Sequence, residues 1–200
     1  MTDYRNPASA QAYLATTQDI DLSPLHSGFL AHLPASPDPS PHLLDLGCGP
    51  GRDALAFRQA GYSVEALDPS PAMAALARAH AGVPVREFRA QDLEDTRAYD
   101  GIWACASLLH VPWDELPDVF GRLERALRPE GVLYASFKLG DGEWTADDGR
   151  CFTDMTEARL LDRVEAGSGL QVIEIRGSPD LRPGRAHERW LNALLRRTAP

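Results

Sequence analysis

Apolar residues along this chain come in short runs at regular intervals. HLLDL at 42–46, SVEAL at 63–67, PVREF at 84–88, GIWACA at 101–106 and GVLYASF at 131–137 each have the length and make-up of a buried strand. Segments of helical length, 52–60, 70–80 and 114–127, lie between most of them; only the link 89–99 has no clear pattern. Strand alternating with helix predicts a parallel sheet joined by right-handed crossovers. The punctuation agrees, since Ser70-Pro71 opens one helix and Gly61 and Gly82 close two others.

Both flanks of this core have their own patterns. Pro7 to Leu22 has helical composition, and Ser23-Pro24 reads as the N-cap and first residue of a second helix with Leu25, Phe29, Leu30 and Leu33 on one face. Four prolines between 34 and 41 forbid helix and central strand alike, which makes that stretch a spacer. Beyond 150 the pattern predicts a helix at 156–166, a Gly-Ser-Gly turn, a strand at 170–176, a turn-rich stretch, and a last segment, 188–197, that suits strand or helix. The expectation is one domain over 1–200: a helical prelude at 1–34, a core at 42–137, and a loop with C-terminal strands at 138–200.

Composition narrows the partners. An apolar content of 44% over 200 residues supports a substantial core, and a net charge of -9 is a poor match to a phosphate backbone, so nucleic acid is a disfavoured partner. Three cysteines at wide spacing, Cys48, Cys105 and Cys151, and a polar N-terminal stretch suggest a reduced, cytoplasmic protein with no membrane segment. No His, Cys or carboxylate cluster has metal-ligand spacing, so no metal is expected.

The chemistry concentrates after the first apolar run, in Asp45-Leu-Gly47-Cys48-Gly49-Pro-Gly51. Glycines at a strand-to-helix turn let a ligand approach the backbone closely. The spacing is G-x-G-x-G, whereas a dinucleotide fingerprint has G-x-G-x-x-G. Asp45 would repel a pyrophosphate and attract an ammonium or sulfonium. Asp68-Pro69 ends the second run, where a carboxylate can accept from both hydroxyls of a ribose. Gln91-Asp92-Leu93 follows the third run and offers polar partners to a base. A nucleoside with a cationic tail describes S-adenosylmethionine better than NAD.

Residues 42–137 resemble the core of the class I S-adenosylmethionine-dependent methyltransferases, most of all the small tellurite-resistance-like and methyltransferase-domain enzymes. Asp45 to Gly51 matches the glycine motif, Leu67-Asp68 the ribose acid, Ala90-Gln-Asp92 the adenine motif, and Leu127-Arg-Pro-Glu-Gly131 the turn before the fifth strand, with Glu130 where a second glycine is more usual. The resemblance implies an α/β, doubly wound, Rossmann-like sheet of seven mostly parallel strands, the last antiparallel, which favours strand for 188–197. It also implies that Gly47, Cys48, Gly49 and Gly51 line the methionine and ribose, that Asp68 holds the ribose, and that Gln91, Asp92 and Leu93 flank the adenine. Ala104, Cys105 and Ala106 would lie beside the methionine, and Tyr4 and Tyr13 of the prelude would close over the cofactor.

The acceptor is expected above the ends of the fourth and fifth runs. His110 is the candidate general base there, with packing beneath a loop as its other role. Of 20 basic residues Lys138 is the one lysine, and together with Arg150 and Arg185 it would select a small anionic acceptor. Arg182, His187 and Trp190 could reach the same opening. Two other functions fit less well: an NAD-dependent oxidoreductase, which Asp45 and the glycine spacing oppose, and a regulator that binds S-adenosylmethionine without turnover.

Overall fold

The computed structural model describes residues 6–147 and 149–198. Its strands are β1 (His42–Leu46), β2 (Ser63–Leu67), β3 (Val85–Arg86), β4 (Tyr99–Ala104), β5 (Leu127–Lys138), β6 (Glu143–Thr145), β7 (Cys151–Thr153), β8 (Leu170–Pro179) and β9 (Arg189–Arg197). Its helices are α1 (Pro7–Thr17), α2 (Ser23–Leu30), α3 (Arg52–Gln59), α4 (Pro71–Ala81), α5 (Leu116–Ala126) and α6 (Glu157–Gly167). Seven strands form one sheet in the order β3-β2-β1-β4-β5-β9-β8, and β6 pairs with β7 in a separate hairpin. Pairing is parallel from β3 through β5, and β9 runs antiparallel to both of its neighbours. This is the α/β, doubly wound, Rossmann-like sheet expected from the sequence.

Successive side chains on a strand point to opposite faces, and the two apolar layers follow from that alternation. Leu44, Leu46, Ile102 and Leu133 pack with Phe120 and Leu123 of α5 and Leu160 of α6. Leu43, Trp103, Val132 and Tyr134 pack on the other face with Phe29 of α2, Phe57 of α3 and Ala74 and Ala77 of α4. Trp103 stacks on Tyr134 at 3.9 Å between ring centroids, so the centre of the second layer is aromatic. The chain leaves β1 toward β2 on one side and returns to β4 on the other. The crevice above the carboxyl ends of β1 and β4 is therefore the switch point where such sheets bind ligands.

Several boundaries differ from expectation for identifiable reasons. β4 starts at Tyr99, two residues before its apolar run, because Asp100 is buried yet partnered by Arg128, the Ser36 hydroxyl and the His42 amide. The unassigned link holds one 3₁₀ turn, Ala90–Asp92, and only Val85–Arg86 of the third run pairs as strand. The last segment is a strand, and the hairpin β6–β7 arises within a loop that showed no strand pattern. Glu130 sits at φ +64°, a left-handed geometry that explains why glycine is the usual residue at this turn. Two of the C-terminal arginines serve the fold: Arg197 donates to the carbonyls of Glu124 and Arg125 at the end of α5, and Arg196 to His32 O.

Close packing between α5 and α6 gives a first test. A Cβ placed on Gly167 would stand 1.9 Å from the Pro117 carbonyl oxygen and 2.3 Å from its carbon, backbone atoms that cannot rotate away. Gly167→Ala should cost about 2 kcal/mol or more, which for a chain of this size lowers the melting temperature by roughly 4 to 8 °C, measured by thermal unfolding.

Candidate active site

The turn after β1 is held in place by β2. The amides of Gly47 and Cys48 both donate to Leu67 O, at 2.7 and 3.0 Å, which curls the loop over the end of the neighbouring strand. Gly47 (φ +70°) has no room for a side chain, since a Cβ would lie 2.3 Å from the Ser107 hydroxyl oxygen. Asp68, at the end of β2, accepts from the Gly49 amide at 2.8 Å and the Ser70 amide at 2.9 Å, so this buried carboxylate is aimed by the turn itself. Above the turn and the ends of β4, β5 and β9 lies a cavity of about 580 Å³, closed on one side by Tyr13, Thr17 and Leu25 of the prelude.

Charge in the cavity floor is organised around three carboxyl groups. Asp53, in the first turn of α3, receives two bonds from Arg52 at 2.8 Å, one from Trp103 Nε1 at 3.0 Å, and pairs with His26 Nε2 at 3.1 Å. Burial alone would raise its pKa, but the His26 and Arg52 bonds outweigh that and hold it below the usual carboxylate range. Asp45 has no such partners. Burial, and then the nearby charge of Asp53, push its pKa well above the usual range, and its Oδ2 is buried with no hydrogen-bond partner. Asp68 is raised to about 6, burial winning over the two backbone N–H bonds. Burial also raises the thiols of Cys48 and Cys105, the latter to about 12, so neither is a nucleophile at neutral pH.

Most of the residues singled out from the sequence meet at this cavity. Asp45, Gly47, Cys48, Gly49, Asp68, Pro69, Gln91, Cys105, Ala106, Tyr13, His110 and Arg150 all line it. Gly51 (φ +88°) does not; a Cβ there would meet Ala77 of α4 at 3.0 Å, so it serves helix packing. Ala104 and Leu93 are fully buried in the core, and Asp92 is spent on a salt bridge with Arg89. Tyr4 lies outside the described residues. Lys138 and Arg185 meet, but on Glu188 and outside the cavity lining, so the expected gathering of three cations at its mouth is replaced by a neutralised cluster. His187 is also absent from the lining.

The cations that do line the cavity are Arg52, Arg89, Arg150 and Arg182. Sequence reasoning passed over Arg52 and Asp53, although they follow Gly51 directly and open α3. It also missed Asn192, a lone amide in an apolar last strand, whose Oδ1 accepts from Tyr134 at 2.7 Å. The hydroxyl of Ser136, another residue not anticipated, accepts from the amide of Ala106 at 2.8 Å and steadies that residue's left-handed φ of +51°.

Comparison with known proteins agrees with this arrangement. A family model described as a methyltransferase domain matches residues 43–131. The match spans the sheet from β1 to the start of β5, the part of the chain that carries the glycine turn and Asp68. Similar curated methyltransferases include the malonyl-[acyl-carrier protein] O-methyltransferase of Pectobacterium atrosepticum, 37% identical over 125 residues covering 62% of this chain and 44% of that protein. Another is the trans-aconitate 2-methyltransferase of Paracidovorax citrulli, 36% identical over 135 residues covering 64% of this chain and 48% of that one. The chain thus spans about half the length of the curated relatives it matches. Among solved structures, the Burkholderia thailandensis 1,6-didemethyltoxoflavin-N1-methyltransferase shares the fold at a TM-score of 0.69 and 24% identity, covering 95% of this chain and 91% of that one.

The carboxyl groups of this site make the protein's stability depend on pH. Asp68 is raised in the folded state, so its contribution is fully present below its unfolded pKa and is lost as pH rises through about 6. A shift of that size amounts to up to about 3 kcal/mol, and Asp45 acts in the same direction. The ligand-free protein should therefore melt at a higher temperature at pH 5 than at pH 7.5, measured by scanning calorimetry.

Proposed function

We propose that this chain transfers a methyl group from S-adenosylmethionine to a small acceptor that carries a carboxylate. Asp45 supports the cofactor reading most strongly. A buried carboxyl oxygen without a partner, on the wall of a cavity, suits a ligand with an ammonium group, whose charge favours the ionised form that burial disfavours. Asp68 fits the ribose hydroxyls, and the Gly47–Gly49 turn fits a ligand lying close to the backbone.

When bound, the cofactor supplies a methyl group on a positively charged sulfur. The protein's part is then to hold two ligands in line and exclude water. Asp68 would orient the ribose, Asp45 would answer the amino group, and the small side chains of Cys105 and Ala106 at the end of β4 would leave room for the methyl. His110 Nδ1 lies 2.9 Å from Cys151 O, which fixes the tautomer with Nδ1 protonated and makes Nε2 the basic nitrogen. A carboxylate acceptor is already ionised near neutral pH and needs no base.

The relatives above support an acidic acceptor: they methylate malonyl-[acyl-carrier protein] and trans-aconitate, both acids. The four arginines of the lining add donors for such a group, although Arg52, Arg89 and Arg182 are also ion-paired with Asp53, Asp92 and Asp180.

Calorimetry with S-adenosylhomocysteine and with NAD tests the cofactor, and a transfer assay with trans-aconitate and a malonyl thioester tests the acceptor. The sulfur ligand should bind, NAD should not, and methyl should reach a carboxylate oxygen; binding of NAD alone would overturn the reading. Asp68→Ala should weaken S-adenosylhomocysteine at least roughly tenfold, and the affinity of the unmodified protein should fall below about pH 6 as Asp68 takes up a proton. His110→Ala should lower kcat by far less than the hundredfold or so that loss of a general base brings.

A further inference from the structure

Three non-glycine residues among those described have a left-handed backbone, Arg97, Ala106 and Glu130, and of these only Ala106 lines the cavity. Alanine has no polar side chain with which to stabilise such a backbone, so its φ of +51° has to be held from outside. Ser136 of β5 supplies the hold. Its buried hydroxyl accepts from the Ala106 amide at 2.8 Å, and its own proton is directed at the Cys105 sulfur, 3.8 Å away. One side chain thus grips two consecutive residues just past the end of the neighbouring strand, β4.

The left-handed step carries the next residue onto the glycine turn. A Cβ on Gly47 would stand 2.3 Å from the Ser107 hydroxyl oxygen and 2.6 Å from its Cβ, so the turns after β1 and β4 touch without a gap. Ser107 O then accepts from the His110 amide at 3.0 Å, which closes the 3₁₀ turn Leu108–His110. Gly47, Ala106, Ser107, His110 and Ser136 all line the one cavity. Ala106 is therefore the joint between the glycine turn on one side and the turn that carries His110 on the other.

We propose that Ser136 is a positioning residue of this site: by holding Ala106 left-handed it seats Ser107 on the glycine turn and fixes that turn relative to the turn bearing His110. The inference rests on the methyltransferase reading, and Ser136 acts in it through the backbone of Ala106. Loss of the hydroxyl removes the hold and lets residue 106 relax to negative φ, which withdraws Ser107 from Gly47. A glycine at this position would need no such hold, because glycine populates positive φ about as readily as negative. That difference separates the role from ordinary packing.

Ser136→Ala is made in the unaltered chain and in a chain carrying Ala106→Gly, and S-adenosylhomocysteine is titrated by calorimetry at a temperature where every variant is folded. In the unaltered chain the substitution should weaken binding about fivefold or more, and beside Ala106→Gly it should cost less than about twofold. An equal loss in both chains, or a loss of less than about twofold in the unaltered one, overturns the proposal, since packing or direct contact with the ligand would act whatever the backbone preference of residue 106. Should Ser136→Ala fail to fold, Ser136→Cys, close in volume but a weak acceptor, takes its place in the same cycle. If the unaltered chain binds no S-adenosylhomocysteine, the methyltransferase reading fails instead. The same cycle read by melting temperature then decides the hold on Ala106: a smaller loss beside Ala106→Gly supports it, and equal losses overturn it.

Discussion

The cavity depends on one buried carboxylate. Asp53 joins three elements: His26 reaches it from α2, Trp103 from β4, and Arg52 from the residue beside it on α3. Charge-assisted bonds of this kind are the strong ones, and removing a single donor would leave a buried charge partly unanswered. Its consequences spread outward. Together with burial, the larger cause, the charge of Asp53 raises the pKa of Asp45 well above the usual range, and Asp53 also holds Arg52 at the cavity wall. The prelude is tied down by the same group, so the cover over the glycine turn and the charge beneath it are one arrangement.

The sheet was largely legible from the chain because buried parallel strands read as continuous apolar runs and their connections as helices. β1 and β2 begin and end where the pattern places them. Misplaced boundaries fall where a polar residue is buried with partners from elsewhere. Asp100 lies inside β4 because Arg128, 28 residues away in sequence, neutralises it, and no local pattern carries that information. The hairpin β6–β7 was invisible for a related reason: Glu143, which accepts from the Trp113 amide at 2.6 Å, anchors it through a contact that only the fold creates.

In the site, the residues fixed by backbone geometry were the legible ones. Asp45 near the end of β1, Gly47 and Gly49 in the turn after it, and Asp68 after β2 all sit at strand ends that the apolar runs mark, and they line the cavity together. Side chains that arrive from afar were not. Lys138 and Arg185 carry the expected charge, yet they turn onto Glu188 outside the cavity, while Arg182 lines the cavity with its guanidinium held by Asp180, which Trp190 also binds. Sequence supplies the number of cations; which of them line the cavity is decided by contacts that only the fold creates.

The central claim is that Asp45, whose pKa burial and Asp53 raise well above the usual range, answers the cofactor's ammonium group. Calorimetric titration near neutral pH in buffers of different ionisation enthalpy measures it directly, with S-adenosylhomocysteine compared against 5′-methylthioadenosine. The ammonium should draw Asp45 into its charged form, so S-adenosylhomocysteine should release up to about one proton more than the ligand that lacks the amino acid. Equal proton release by the two ligands would contradict the account.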